Sequence, residues 1–375
     1  MTSQSSIDRS RSDRKMLTFR GGGWILLVAA FVTVAIALLI VLQARSGQQR
    51  HPMIMNSVDL VTAIVPAETI IDASDPNVLR PLDFPALIEG SDVQQVNEEQ
   101  RGKYLVSDDR VIGVVINGEA RAYPIRMLDW HEVVNERIAE QDIVVTYNGL
   151  CDSAVVFARP VDENGDTLLF AASGKVRNSN LLLIDRPADD PQASVSNATS
   201  YKPSLWSQLE MRAIAGPAAQ DGRTLEVVAA AVMPWSDWLA QHPDTLVLAP
   251  NPDPARTRQY KRRTYGQYFD SEVLHFPVNP LPPDKTPKRR LKTNIIAVPD
   301  DAGIWHVFAV DELMKRASPA ATWSPSFQYQ QQRVDIHVRE RPLCAWATTA
   351  DGELMPSVSA FWFAWYAAQG GSTIE

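Results

Sequence analysis

The sequence predicts an α+β fold, mainly β, behind an N-terminal transmembrane helix. Short runs of β-branched and aromatic residues recur between turn signals, few stretches space their apolar residues as a helix does, and one uncharged run stands near the start. With 375 residues, 45% hydrophobic and 21% charged, the chain is long enough for one large domain or two ordinary ones. Its 26 prolines imply many turns and irregular connections. A formal net charge of -8 argues against general affinity for nucleic acid, whose phosphates need clustered Lys and Arg.

Residues 1–23 form a basic tail, with Arg9, Arg11, Arg14, Lys15 and Arg20 set against Asp8 and Asp13. Residues 24–42 carry no charge and only Thr33 as a polar side chain. At about 1.5 Å per residue they span roughly 28 Å, close to the hydrocarbon thickness of a bilayer. A secretory signal peptide is the competing reading, but the run is long for one, and Val41-Leu42-Gln43-Ala44 lacks the small residue expected three positions before a cut. With the cations before the span and only Arg45 and Arg50 soon after, the N-terminus is expected in the cytoplasm. A single-pass anchor in the cell (inner) membrane follows, with the bulk of the chain periplasmic or extracellular.

Residues 43–109 read as a polar tether and an irregular lead-in, with short apolar runs such as 83–88. Residues 111–123 (VIGVVINGEARAY) are a hairpin about the Asn117-Gly118 turn. Over 125–138, Met127, Leu128, Trp130, Val133, Val134 and Ile138 are spaced as on a short amphipathic helix that leaves His131, Glu132 and Asn135 toward polar surroundings. Residues 143–147 (IVVTY) form a buried strand, Asn148-Gly149 breaks it, and 154–157 resumes a strand, so that Cys151 lies in the bend between two strands. Asn164-Gly165 turns the chain, and 168–171, 180–184, 225–232 and 246–248 are further strands. Residues 234–241 (PWSDWLAQ) begin a helix with proline in its first turn. Residues 251–292 are a Pro-rich linker with basic clusters at 256–263 and 285–292, for which solvated loop charge is the commoner reading and contact with anionic lipid headgroups near the anchor the other.

Residues 293–375 echo the centre of the chain. The stretch 295–310 parallels the hairpin, 312–314 the start of the helix, 334–338 the strand, Leu343-Cys344 the Leu150-Cys151 pair, and Asp351-Gly352 the Asn164-Gly165 turn. A degenerate second copy, with the Trp-His helix lost, is expected there. In the alternating aromatics of 361–366 (FWFAWY) a strand that closes the core is the commoner reading, and a membrane surface patch the other.

Several linked motifs carry a resemblance. Trp130 to Asn135 (WHEVVN), then Val145-Thr146-Tyr147 with Leu150-Cys151, Ser173-Gly174, NSNLLLIDR at 178–186, SLWSQ at 204–208 and the aromatic run at 361–365 together resemble the exported family known as domain of unknown function 3179. The resemblance implies a main family domain over 110–250 and transfers no reaction. Members usually show Cys-Pro-Leu-Cys-Gly at the bend, whereas this chain has Asn148-Gly149-Leu150-Cys151-Asp152, so a Cys-x-x-Cys redox pair or two-thiolate ligand set cannot form within the motif.

Cys151 and His131 are the first candidates, as ligands of a transition metal, zinc or copper rather than calcium or magnesium, with Asp152, Asn148, His306 or His337 needed to complete the site. Under an enzyme reading Cys151 is the nucleophile, His131 its base and Asn148 a polar stabiliser. Buried cysteine is the structural alternative, and a Cys151–Cys344 disulfide a third. Asn180, Asp185, Arg186 and Trp206 are candidates for ligand binding, through the guanidinium fork and an aromatic platform, with structural fastening as the plainer reading. The leading expectation is a membrane-anchored extracytoplasmic protein that binds a transition metal or small ligand at a Cys/His site. A cysteine-dependent enzyme and a non-catalytic scaffold for membrane partners are the alternatives.

Overall fold

Three short strands from the lead-in, β1 (Ile71–Asp72), β2 (Leu82–Asp83) and β3 (Leu87–Glu89), each join a strand from further along the chain. The computed structural model describes residues 58–75, 78–99, 103–187, 201–253, 257, 259–260, 262, 264–283, 291–317, 321–371 and 373–375, all within one unit, Met53–Glu375. The expected membrane anchor at 24–42 and its basic tail lie outside the described residues. Among the described residues no helix is long and apolar enough to cross a membrane.

The first hairpin pairs β4 (Arg110–Ile116) with β5 (Glu119–Pro124) across the Asn117-Gly118 turn, whose φ angles of 49° and 84° suit these two residues. The helix expected over 125–138 stops after one turn, Ile125–Leu128. Glu132 at φ 57° then reverses the chain, and Val133–Ile138 is strand β6. Apolar spacing over those residues fits a helix, but β-branched side chains with both faces covered, and a ladder partner six residues long, decide for strand.

The chain continues as β7 (Gln141–Asn148), β8 (Ser153–Ala158), β9 (Leu169–Arg177), β10 (Asn180–Arg186), β11 (Leu205–Ser207) and β12 (Arg212–Ala215). β13 (Ala231–Pro234) runs into the helix Trp235–Gln241, and β14 (Leu246–Leu248) follows. Of the strand expected over 225–232, only its end enters β13, with a single bridge from Val227 to Phe157 before it. The later elements are β15 (Asn294–Pro299), β16 (Trp305–Ala309), the helix Val310–Ala317, β17 (Thr322–Trp323), β18 (Gln328–Tyr329), β19 (Gln332–Arg339), β20 (Cys344–Thr349), β21 (Val358–Phe361) and the helix Trp362–Ala368. The expected strand at 361–366 is therefore mostly helix. Its reason is packing: Trp362 and Trp365, three apart, fall on one side of a helical turn and are both buried.

Strand predominates, so the α+β, mainly β expectation holds. Among the described residues four sheets form, in the orders β1-β9-β10-β11-β12, β13-β4-β5-β14-β3, β16-β15-β21-β8-β7-β6-β2, and β17-β19-β18 with β20 on β19. Two segments run through one order of elements. In each, a hairpin (β4–β5, β15–β16) leads into a helix, a meander follows, and a third strand returns to the first strand of the hairpin before a terminal helix. The meanders match in detail. β7 and β19 have eight residues and β8 and β20 six. The preceding turns, Ala139-Glu140 and Gln330-Gln331, both hold positive φ at two successive residues. The returning strands also cross over: β21 of the later segment pairs with β8 of the earlier one, and β13 lies against β20.

Candidate functional site

The site forms where the turn after Ile125–Leu128 meets the bend between β7 and β8. Backbone N–H groups of Asp129, His131 and Glu132 bond back to Ile125 and Leu128, closing the turn tightly. The left-handed Glu132 lets its carbonyl accept from the Tyr147 N–H at 2.9 Å, which ties turn to strand. Across the bend, Gly149 is required by contact. A Cβ there would meet Cε2 of Tyr265 at 2.0 Å, so the ring lies directly on the backbone.

Asp152 is the hub. Arg110 donates to both its oxygens, at 2.9 and 2.7 Å, Tyr147 Oη donates at 2.8 Å and Asn294 Nδ2 at 3.0 Å. Four donors on one buried carboxylate fix its position and balance its charge. Arg110 and Asn294 hold matching places, since each opens the first strand of its hairpin opposite the last residue of the returning strand, Pro234 or Phe361.

Above this hub lies a cavity of about 580 Å³. Asp129 lines it beside Tyr147, Tyr265, Phe269 and Phe361. Burial, and then the negative charge of Asp152, push the Asp129 carboxyl up to about 7, against the opposing pull of Arg110 and Arg126. Its Oδ1 is buried with no hydrogen-bond partner among the described residues. A second cavity, of about 290 Å³, has Tyr265 as a shared wall and is also lined by Glu132, Asn148 and His275. There Asn148 Nδ2 donates to Glu132 Oε1 at 3.0 Å, and burial raises Glu132 to about 7. The site is thus a pair of chambers walled by carboxyl groups that hold protons near neutrality.

The residues singled out from sequence lie in and around this place with different partners. His131 is not on a helix but in the turn, with Nδ1 at 2.8 Å from the Arg80 carbonyl and Nε2 at 2.8 Å from Tyr260 Oη. Cys151 is wholly buried and donates to the Ser179 carbonyl at 3.2 Å; burial pushes its thiol far above the ordinary range. Both ring nitrogens of His131 are engaged, and no group of three or more His, Cys, Asp or Glu side chains placed to hold a metal ion occurs among the described residues. The Cys151/His131 pair therefore does not fit a zinc or copper centre. Cys151 and Cys344 are both free and buried. They also differ in place: Cys344 opens β20 opposite Arg339, the position that Ser153 holds opposite Asn148, while Cys151 sits in the bend itself. The Leu-Cys parallel between the two segments is thus out of register.

Asn148 lines the second chamber. Asn180 belongs to a buried network in which it donates to Gln208 at 2.9 Å, and Gln208 donates to Thr146 at 2.8 Å. Asp185 accepts from the Ser204 N–H and from the Trp206 indole, each at 2.8 Å, and burial raises it to about 6. Trp206 is fully buried, and Arg186 pairs with Asp83. Asp185, Arg186 and Trp206 line neither chamber.

Sequence reasoning missed Asp129, Glu132, Arg110, Tyr147 and Asn294 as site residues, and met Asp152 only as one of several residues that would complete a metal site. A signal existed for some of them: Asp129 and Glu132 bracket the Trp-His pair, and Asp152 follows the cysteine, each an acid beside a strongly apolar run. Tyr260, Tyr265 and Tyr268 come from the segment expected to be only a linker, yet Tyr260 and Tyr268 are buried.

Fold and site define a β-rich α+β protein with an acid-walled, aromatic-lined double chamber. The chain belongs to the family described as protein of unknown function (DUF3179), whose model matches residues 82–371. That span includes every residue of the two chambers except Ala73, Ser74 and Leu79. No curated protein and no solved structure matches the chain.

Proposed function

We propose that the protein is a membrane-anchored, extracytoplasmic binding protein that holds a small polar ligand in the chamber above Asp152. One observation carries the reading: a cavity of about 580 Å³ in which Asp152 is saturated by four donors while neighbouring Asp129 keeps an oxygen without a partner among the described residues. Convergent polar groups on an aromatic wall are the general form of a ligand site. A metal at Cys151 and His131, or a nucleophilic Cys151, draws no support from a bonded histidine and a buried, strongly protonated thiol.

The test is a thermal-shift screen of the full chain in detergent against small polar metabolites, beside Asp129→Asn. At least one compound is expected to raise the melting temperature by several degrees, with the gain lost in the variant. A library that leaves the wild type unmoved leaves the scaffold reading in its place. About one zinc or copper per chain, lost in both Cys151→Ser and His131→Ala, would replace the reading with the metal one.

The anchor rests on the uncharged run 24–42 and the cations before it. Carbonate-washed membranes are expected to retain the chain, and an alkaline phosphatase fused after residue 375 to be active. Release into the soluble fraction sinks the anchor. The matching element order further supports two copies of one unit, the earlier interrupted by β9 to β12. On that reading the chamber sits at the junction of the copies. An experimental structure in which the two segments fail to superpose removes it.

A further inference from the structure

The geometry points to an organic cation, an ammonium or guanidinium group on a small body, as the ligand of the Asp129 chamber, paired there with the Asp129 carboxylate. This rests on the reading of that chamber as a ligand site and names its ligand class.

The walls supply the reason. The inner cations are committed elsewhere: Arg110 to Asp152, Arg126 to Asp109 at 2.8 Å and to the Tyr104 carbonyl at 3.0 Å, and Lys292 to the carbonyls of Tyr268, Ser271 and Val273. An incoming anion would have to break one of these pairs. Asp129, by contrast, is the inner carboxyl with an oxygen that lacks a partner among the described residues. Exposed Asp108 and Asp270 flank the mouth with Arg262, so the described rim adds no excess of positive charge.

The aromatic wall fits the same class. Tyr265 and Phe269 stack at 6.1 Å, and Phe269 meets Phe361 edge to face at 5.2 Å, giving ring surface beside the acid. Such surfaces attract a cation while covering its apolar body.

Proton release follows from the charges around Asp129. Asp152, Glu132, Tyr147, Tyr265, Arg110 and Arg126 face it, and burial with Asp152 outweighs the two guanidinium groups. Below neutrality the empty chamber therefore holds Asp129 mainly as the neutral acid. A bound organic cation reverses that balance. The neutral Asp129 carboxyl and the incoming cation become a carboxylate–cation pair: the carboxyl O–H bond breaks, its electrons stay on the oxygen, and one proton passes to solvent while the ligand keeps its own charge. Affinity then rises about tenfold per pH unit below neutrality and levels off above it. An anionic ligand would need the neutral acid as a donor and show the opposite slope.

The experiment is isothermal titration calorimetry on the full chain in detergent. Butylammonium, butylguanidinium and benzyltrimethylammonium are compared with butyrate, butyl phosphate and butanol, at pH 5.5, 6.5 and 7.5 in two buffers of different ionisation enthalpy. Expected are binding by the cations, a Kd about tenfold lower at pH 6.5 than at 5.5, and proton release that is close to one at pH 5.5 and falls to a small fraction at pH 7.5. Asp129→Asn is expected to bind at least tenfold more weakly, with the pH dependence gone. Binding by butyrate, butyl phosphate or butanol in place of the cations overturns the ligand class and leaves the chamber a ligand site. Cation binding without proton release overturns the role of Asp129. Silence from all three classes overturns the class and the ligand site together.

Discussion

Arg110 and Asn294 donate to the same oxygen of Asp152, at 2.9 and 3.0 Å, although they are far apart in sequence and open two different hairpins. Their convergence joins the earlier and later segments at the floor of the chamber. Because Asp152 is only 4% exposed, loss of a partner leaves charge uncompensated in a poorly hydrated place. Arg110→Ala is therefore expected to cost about 3–5 kcal/mol of stability. Asn294→Ala removes one neutral donor of several and is expected to cost about 1 kcal/mol. Urea unfolding of the two variants measures the difference, and equal costs would contradict the central place given to the guanidinium.

The contribution of Asp129 and Glu132 to stability should fall as pH rises through the acid-to-neutral range. Burial lifts Asp129 and Glu132 from ordinary values of 3.8 and 4.5 to about 7. Between those limits the folded state keeps protons that the unfolded chain has already lost, so raising the pH favours unfolding; above about 7 the effect is complete. Asp129→Asn and Glu132→Gln cannot ionise, and each is expected to reduce the loss between pH 4 and 8 by about 1–3 kcal/mol. Denaturation curves across that range would reveal a slope unchanged by both variants if the two acids titrate normally.

Gly149→Ala should act through Tyr265. The added methyl would stand 2.0 Å from Cε2 and 2.3 Å from Cδ2 of the ring, forcing the wall between the chambers to move. A loss of about 1–3 kcal/mol is expected. With Tyr265→Ala already in place the obstacle is gone, so the two changes should be less than additive by about 1–2 kcal/mol. Full additivity in the double-mutant cycle would show that the glycine is needed for something else.

Both thiols should be silent in the folded protein. Cys151 is fully buried and Cys344 is 5% exposed, and burial pushes Cys344 up to about 12 and Cys151 higher still. A thiolate-selective disulfide reagent is expected to label neither at pH 8 and both after denaturation. Rapid labelling of folded protein, lost in Cys151→Ser, would restore the nucleophile reading.

The prevalence of strand, the Asn117-Gly118 hairpin and the family were legible in the sequence, because each is written in local chemistry. Turn residues with positive φ, β-branched runs and linked motifs act over a few neighbours. The turn holding Trp130-His131 and the bend holding Cys151 are joined through Glu132, Tyr147 and Asn148, while His131 and Cys151 themselves line neither chamber. Periodicity failed where an alternative partner lay elsewhere: 133–138 has apolar spacing that suits a helix, yet β7 offers a full ladder. At 361–366 alternation suggested a strand, while burial of Trp362 and Trp365 settled a helix.

The sequence by itself determined the class of fold and the family. Only the tertiary structure decided which atoms face each other in the site. Cys151 and His131 are conspicuous residue types, but packing closed one away and bonded the other to Arg80 and Tyr260. Asp129 and Asp152 are ordinary acids in the sequence. They share one chamber because the fold brings Arg110, 42 residues before Asp152, and Asn294 and Tyr265, more than a hundred residues beyond it, against them, and the burial and field that result are properties of the assembled fold.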